Sequence, residues 1–306
     1  MHLKKYFAAL AVSVAAFAAA SVLTSGSLRA ETVTECDRLA TDPMDRARVT
    51  DGASFQQLMS DEALEACTRD AVIQADNPRL AYQYGRLLLL RKQKIQGLKY
   101  VIRAAEKGHL AAQLLLTSGY SSGNYFKGDA KQAYSWAEKA ATQGSKYAQA
   151  SAATWQVEGN GTTQKTEKGL ARLENYAATG NTYASFSLAV IYRQGVYAKT
   201  DLDRAIGYYD AARKGGLGAA HSALALMYLG GESVKKDVDR AYRIFLDGAE
   251  AGHVGVQLLL ARNLAEGFIP VEDGTAEAVK WMCAAGKRGE SLHFELFRRK
   301  ITCPAK

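Results

Sequence analysis

The side chains of this 306-residue chain that offer the most chemistry are its cysteines and histidines, because both can bind zinc. Cys36, Cys67, Cys283 and Cys303 lack the close spacing of zinc ligands, so zinc is the weaker interpretation. An even number of cysteines in an exported chain favours disulfides. Three pairings are open, and Cys36 with Cys67 and Cys283 with Cys303 close the shortest loops.

The histidines show no catalytic pattern. His109 and His253 each follow a glycine that we expect to end a helix, which predicts exposed helix starts. His221 shares a polar column with glutamines and a serine. There is no Gly-x-Ser-x-Gly elbow, phosphate-binding glycine loop or His-Glu-x-x-His motif. The sequence therefore predicts no enzyme, no metal and no cofactor.

The first thirty residues read as a signal peptide. Lys4 and Lys5 precede an apolar run from Tyr6 to Leu23, and Ala30 suits a cleavage site. An uncleaved anchor is the alternative, since the run approaches the ~20 residues that span a bilayer. Cleavage predicts a periplasmic protein without stable membrane insertion. It also leaves 36 basic against 31 acidic side chains, or +5, in a compartment without nucleic acid.

An internal repeat of 36 residues organises most of the chain. One series of glycines keeps this spacing, and a second glycine follows each member by fifteen positions. Glycine commonly ends a helix in a left-handed conformation, so two glycines per period indicate two helices per period. The first series is Gly108, Gly144, Gly180, Gly216 and Gly252, and the second is Gly123, Gly159, Gly195, Gly231 and Gly267.

Other recurring positions of the repeat predict which residues cap the helices and which residues form the core. In the first clear unit we expect helices over about Leu110–Ser122 and Asp129–Gln143. The acidic residue between helices can cap the second helix of a unit, and the alanine columns allow close helix packing. Large aromatic side chains are expected to fill the space between helices. The capping residues are Asp129, Asp201, Asp237 and Asp273, and the aromatics are Tyr100, Trp136, Tyr208 and Trp281.

Residues 184–196 and 203–216 carry a family resemblance. They read Ala-Ser-Phe-Ser-Leu-Ala-Val-Ile-Tyr-Arg-Gln-Gly-Val and Asp-Arg-Ala-Ile-Gly-Tyr-Tyr-Asp-Ala-Ala-Arg-Lys-Gly-Gly. This pattern resembles the Sel1-like repeats, relatives of the tetratricopeptide repeats. The resemblance implies an all-α fold, an α/α superhelical solenoid of antiparallel helix pairs. It covers residues 72–289 in about six units, the first being degenerate because Val72 replaces the glycine.

Both ends of the mature chain depart from the repeat. Residues 31–71 are predicted to be an N-terminal helical cap, with a helix starting at Ser60 and an apolar face of Leu64, Cys67, Ala71 and Ile73. Residues 290–306 are predicted to form a C-terminal capping helix and a tail held by Cys303. Disulfides at the two ends would restrain a solenoid where it frays.

The expected binding surface is the concave face, which the first helix of each unit lines. By analogy with tetratricopeptide units, groove residues lie three, six, ten, thirteen and fourteen positions after the first glycine. Phe186 and Leu229 could instead fill interhelical space. The candidates are Tyr147, Thr154, Glu158, Tyr183, Phe186, Arg193, Gln194, Leu226, Leu229 and Arg262.

The predicted function is a periplasmic scaffold or regulator that binds another envelope protein, such as a sensor or an assembly factor. The alternative is a structural component of the envelope that binds polysaccharide or peptidoglycan, for example in polymer export. Aromatic and arginine side chains at groove positions favour protein binding, because these residues commonly dominate interface energy.

Overall fold

The computed structural model describes residues 32–231, residues 234–286 and Cys303, and this part of the chain is all α-helical, without strands. The predicted signal peptide and most of the predicted C-terminal cap lie outside the described residues. The helices are α1 Glu35–Ala40, α2 Phe55–Leu58, α3 Asp61–Ile73, α4 Pro78–Leu90, α5 Lys94–Glu106, α6 Leu110–Ser122, α7 Ala130–Thr142, α8 Lys146–Glu158, α9 Thr166–Ala178, α10 Thr182–Gln194, α11 Leu202–Lys214, α12 Gly218–Gly230, α13 Val238–Glu250, α14 Val254–Ala265 and α15 Gly274–Gly286.

Helices α4 to α15 form consecutive pairs, in which each first helix packs mainly on the second helix that follows it. The first helices are α4, α6, α8, α10, α12 and α14. Glycine ends four of them in the left-handed conformation, with φ of 70° at Gly123, 76° at Gly159, 71° at Gly195 and 73° at Gly231. Only glycine adopts this conformation without a steric cost, which explains the glycine column. The fold is the predicted α/α solenoid.

The acidic residues between helices cap the second helices as expected. The Asp201 carboxylate accepts a hydrogen bond from the Arg204 amide at 3.0 Å, and Asp237 accepts from the Arg240 amide at 2.9 Å. Asp129 and Asp273 make the corresponding bonds at the starts of their helices. Each bond satisfies one of the amides that a helix N-terminus leaves without a partner.

The buried side chains of the core lie at equivalent positions of successive repeats. Alanines of the two alanine columns, such as Ala184, Ala212 and Ala220, have no exposed surface, so neighbouring backbones approach closely. Tyr209 and Phe245, one period apart, are also fully buried and fill the space between pairs. Burial of these apolar surfaces supplies the main stabilisation of the solenoid.

We assign the first helices to the inner side of the superhelix, because some of them pack on the first helix of the neighbouring unit. Helix α8 packs on α10 in this way, and α12 packs on α14. Second helices of neighbouring units make less contact within the described residues. The layer whose helices are closer lies inside the curve. We call the exposed surface of α6, α8, α10, α12 and α14 on that side the inner face.

The N-terminal cap is joined to the first helix pair by a disulfide and a buried polar network. Cys36 bonds to Cys67, which links α1 to α3. The buried Asp37 carboxylate pairs with Arg79 of α4 and accepts a hydrogen bond from Gln83 at 3.0 Å. Because both charges of this pair are removed from water, they depend on each other and on these hydrogen bonds.

Two sequence predictions in this region are wrong. His109 is 5% exposed, because the ring of Tyr82 stacks on it at 4.9 Å and Asp45 of the cap lies 3.1 Å from its Nε2. Ile73 was expected on the apolar face of α3, yet it is 72% exposed at the last residue of that helix. Both errors arise where the cap, which has no repeat pattern, meets the solenoid.

Candidate binding surface

Most of the predicted groove residues are accessible on the first helices. Tyr147, Tyr183 and Leu226 are 40%, 39% and 43% exposed. Glu158, Gln194 and Arg262 are also exposed, and Arg193 is half-buried. The inner face therefore offers side chains from α8, α10, α12 and α14.

Three of the predicted residues contribute little surface. Leu229 is 9% exposed and packs in the core, as the alternative interpretation of this residue expected. Phe186 is half-buried, with its ring 5.6 Å from that of Tyr209 in an edge-to-face arrangement. Thr154 is half-buried too, and its hydroxyl is enclosed. These residues belong to the floor beneath the inner face.

The size of the side chains at one position of the inner face changes along the solenoid. The third residue after the leading glycine is Tyr147 in α8 and Tyr183 in α10, and their rings meet edge to face at 5.7 Å. In α12 and α14 the same position is Ala219 and Gly255. These small residues border an open depression of about 630 Å³ between the two helices. The protruding pair of Tyr147 and Tyr183 is thus followed along the inner face by a depression that small side chains line.

The inner face carries very few charges. Helices α6 and α12 contain no Lys, Arg, Asp or Glu, and the other three contain Lys146, Glu158, Arg193 and Arg262. Lys146 donates a hydrogen bond to the Gly180 carbonyl at 3.1 Å, and Arg262 pairs with Glu266 at 2.9 Å. Partial desolvation raises the pKa of the exposed Glu158 above its ordinary value. Neither Glu158 nor Arg193 has an ion-pair partner among the described residues.

The second helices, by contrast, use their charges to join neighbouring units. Arg172 of α9 donates to Glu138 of α7 at 2.7 Å, and Arg213 of α11 donates to Asp247 of α13 at 2.7 Å. Arg204 of α11 donates to Glu174 of α9 at 2.8 Å. These contacts recur at about one-repeat spacing and join neighbouring second helices, so several charges of the outer layer already have partners.

Sequence reasoning did not find two features of this surface. The depression beside Ala219 needs small residues on two neighbouring helices, and its sequence signal is the change from Tyr to Ala and Gly in one column. The second feature lies beneath the surface: the Tyr209 hydroxyl is buried without a hydrogen-bond partner among the described residues. Nothing in the local sequence indicates that a tyrosine in a core column would lack one.

The described residues offer little to reactive chemistry. All four cysteines are used in disulfides, Cys36 with Cys67 and Cys283 with Cys303, which confirms the pairing that closes the shortest loops. Within the described ranges, no three His, Cys, Asp or Glu side chains come together as metal ligands would. In the same residues, no helix has the length and apolar character needed to cross a bilayer.

The stacked helix pairs place the chain among the α/α repeat proteins. The Sel1 repeat family matches residues 79–109, 111–145, 182–217, 218–253 and 256–290, more than half of the chain. The chain therefore belongs to the Sel1 repeat family. Sel1 repeat proteins are generally scaffolds for interactions with other proteins and are typically not catalytic.

Solved structures with a similar chain trace include other Sel1 repeat proteins. One from Oxalobacter formigenes is 25% identical, with a TM-score of 0.49, over 68% of this chain and 85% of its own. A protective antigen of uropathogenic Escherichia coli is 23% identical, with a TM-score of 0.49, over 74% of this chain. This chain covers 49% of that antigen, about half its length.

An immunity protein from Pseudomonas aeruginosa is 19% identical, with a TM-score of 0.45, over 79% of this chain and 88% of its own. No curated protein sequence matches the chain.

Proposed function

We propose that this protein is a periplasmic scaffold that binds another envelope protein, a sensor or an assembly factor, along its inner face. The observation that carries the proposal is the contrast between the two layers of the solenoid. The inner layer exposes Tyr147, Tyr183 and Leu226 on a face nearly free of charge. In the outer layer, several charged side chains instead make contacts between units. Exposed aromatic residues on a face with few charges suit a protein partner.

A periplasmic location is supported by the cysteines and by the first thirty residues. Disulfides persist in oxidising compartments such as the periplasm and are rare in the cytosol. Residues 1–30 have the composition of a signal peptide. We expect the mature protein to begin at or near Glu31 and to fractionate with the periplasm. N-terminal sequencing checks this, and an intact Met1 would contradict it.

The binding surface can be tested by site-specific photocrosslinking in cells. A photoreactive residue in place of Tyr183 probes the inner face, and one in place of Asn175, an exposed residue of α9, probes the outer layer. We expect the Tyr183 position to crosslink to one envelope protein and the Asn175 position to give no such product.

Two results would count against the scaffold. Equal crosslinking from both positions would show that the inner face is not the binding surface. Products that disappear after digestion of polysaccharide or peptidoglycan, without a protein adduct, would favour the structural alternative in which the protein binds polymer.

A further inference from the structure

A partly enclosed pocket of about 130 Å³ lies where the unit of α6 and α7 meets the unit of α8 and α9. Its walls come from the end of α6, the start of α7, and the end of α8 with the loop that follows, and they include Ser121, Asp129, Trp155 and Asn160. Tyr147 lies at the opposite end of α8. The pocket is therefore a second surface, apart from the aromatic pair of the inner face.

The residues that form this pocket do not recur in the other units. The eleventh residue after the leading glycine is Trp155 here, and elsewhere it is Gly119, Ile191, Met227 or Asn263. The seventeenth is Gly161 here, and elsewhere it is Tyr125, Tyr197, Ser233 or Ile269. Both belong to residues 146–181, the stretch that the Sel1 repeat family does not match. The departure of this unit from the family thus includes the walls of the pocket.

Gly161 lets the loop after α8 close the pocket against α7. Its φ is 71°, in the left-handed region, and a Cβ at this residue would overlap the carbonyl oxygen of Ala130. Glycine is the residue that permits such a close approach of two backbone segments. Because Asn160 precedes Gly161, the same contact holds Asn160 at the edge of the pocket.

The side chains around the pocket combine one aromatic ring with several hydrogen-bonding groups. Trp155 is half-buried, while Ser121 and Asn160 are exposed and can both donate and accept hydrogen bonds. Asp129 accepts a hydrogen bond from the Gln132 amide through one carboxylate oxygen, at 3.1 Å, and its other oxygen can accept another. A matching ligand has an apolar face and hydroxyl groups around its edge.

The volume of the pocket suits a single six-membered ring, since a protein cavity of about 150 Å³ holds one benzene molecule. A purely aromatic ring would take water from the polar groups of the lining without replacing their hydrogen bonds, which costs free energy. An anionic sugar would meet the negative charge of Asp129. A neutral pyranose meets neither penalty, because its hydroxyl groups both donate and accept.

We propose that this pocket binds one neutral pyranose unit of a saccharide, with an apolar face of the sugar on Trp155 and its hydroxyls bonded to Ser121, Asp129 and Asn160. The exposed Ser121 and Asn160 lie at the open side, where a terminal unit of a longer saccharide can enter. The site is additional to the inner face, so the protein can hold a saccharide and a protein partner at the same time.

Methyl glycosides of glucose, galactose and mannose are the probes, and saturation-transfer difference NMR measures their binding to the mature protein. Two further ligands test the chemistry: methyl glucuronide adds a carboxylate, and Nα-acetyl-lysine methylamide offers an ammonium group instead of a sugar. The variants are Trp155→Ala, Asn160→Ala and Ser121→Phe, which fills the pocket. Their controls are Asn175→Ala, at an exposed asparagine of α9, and Ser122→Phe, at an exposed serine of α6 outside the pocket.

We expect at least one neutral glycoside to bind with a dissociation constant on the order of 1 mM, as so small a ligand does. Trp155→Ala should weaken binding at least about tenfold, because the ring provides the apolar contact. Asn160→Ala should weaken it about two- to tenfold, the value of one hydrogen bond. Ser121→Phe should remove binding without lowering the melting temperature, since the residue is exposed. Both control variants should bind as the wild type does.

Several results would overturn the proposal: no binding of any neutral glycoside, tighter binding of the glucuronide, or binding of the lysine derivative alone. Equal losses from Ser121→Phe and Ser122→Phe would do the same, because binding would then not depend on the pocket. If Trp155→Ala lowers the melting temperature, the variants at the exposed residues decide. Photocrosslinking from position 183 in the Ser121→Phe variant should still capture the envelope protein, so the saccharide site and the scaffold are tested separately.

Discussion

Ala184 shows that a small side chain is needed where the helices of this fold pack closely. Its side chain is completely buried in a cluster with Leu188 and Tyr192, at the position where α10 packs against its neighbours. A methyl group fills the space between helices that approach closely, and a larger side chain would have to push them apart. The alanine column of the sequence therefore marks the positions where helices are too close for a larger side chain.

Replacement of Ala184 by Leu should destabilise the protein by about 1–3 kcal/mol, because it inserts extra carbons into a packed contact. The matched control is Ala171→Leu, which makes the same change at an exposed residue of α9 and should stay within about 0.5 kcal/mol. Thermal and urea unfolding measure both. Equal losses would mean that α10 does not face its neighbours through Ala184.

The sequence predicts residues of the repeat well and residues outside it poorly. Alanine and glycine columns specify burial and left-handed φ directly, so Ala184 and Gly195 are predictable from spacing. His109 belongs to the repeat, yet its burial depends on Asp45 in the cap, whose path has no periodic signal. That the Tyr209 hydroxyl lacks a hydrogen-bond partner is equally unpredictable, because it depends on how all the surrounding helices pack.

At the scale of the helix, the unit formed by α8 and α9 folds although its sequence departs from the family. No family match covers residues 146–181. The large side chain of other units is replaced there by Gln156, which accepts a hydrogen bond from Arg172 at 3.1 Å. Lys165 precedes α9 and provides no side-chain cap. Its neighbours on both sides supply the packing that keeps this unit helical.

The capping bonds can be tested in both directions. Asp201→Ala should cost about 1 kcal/mol, since it removes the acceptor for the Arg204 amide. Lys165→Asp should stabilise the protein, because α9 begins without such an acceptor and its preceding residue has a similar φ, −141° against −144° at Asp201. The control is Lys199→Ala, an exposed residue of the loop before α11. Urea unfolding that gives equal stability for all three would contradict the assigned caps.

At the scale of the whole molecule, the N-terminal cap contacts the solenoid through polar side chains that are buried together. Asp45 and His109 have side chains that are each 3% exposed. Tyr82 stacks on His109 and donates a hydrogen bond to Asp42 at 2.6 Å. Although burial raises the pKa of Asp45, its bonds to His109 and to the Ala47 amide outweigh that effect and hold the pKa below its ordinary value.

This arrangement predicts a pH dependence with a definite sign. A carboxylate with a lowered pKa in the folded state stabilises the protein above its unfolded pKa of 3.8, and that stabilisation is lost as the pH falls through the folded pKa. Asp45→Asn should cost about 1–3 kcal/mol at pH 7, as the loss of a buried, hydrogen-bonded carboxylate does. The difference from wild type should shrink below pH 3.8.

Urea unfolding of both proteins across this pH range measures the effect, and Asp51→Asn, an exposed carboxylate of the same loop, is the control. A difference that stays constant from neutral to acid pH would show that Asp45 acts by packing alone.

The position of the disulfides has a consequence for how the chain can change in evolution. Both lie at the ends of the solenoid, so the units from α6 to α13 contain no cysteine. Duplication or loss of one 36-residue unit there would leave every thiol with its partner. It would lengthen or shorten the inner face by about one helix spacing, or roughly 10 Å. Recombination alone could thus adapt the length of the inner face to longer or shorter partners, and disulfide formation would be unaffected.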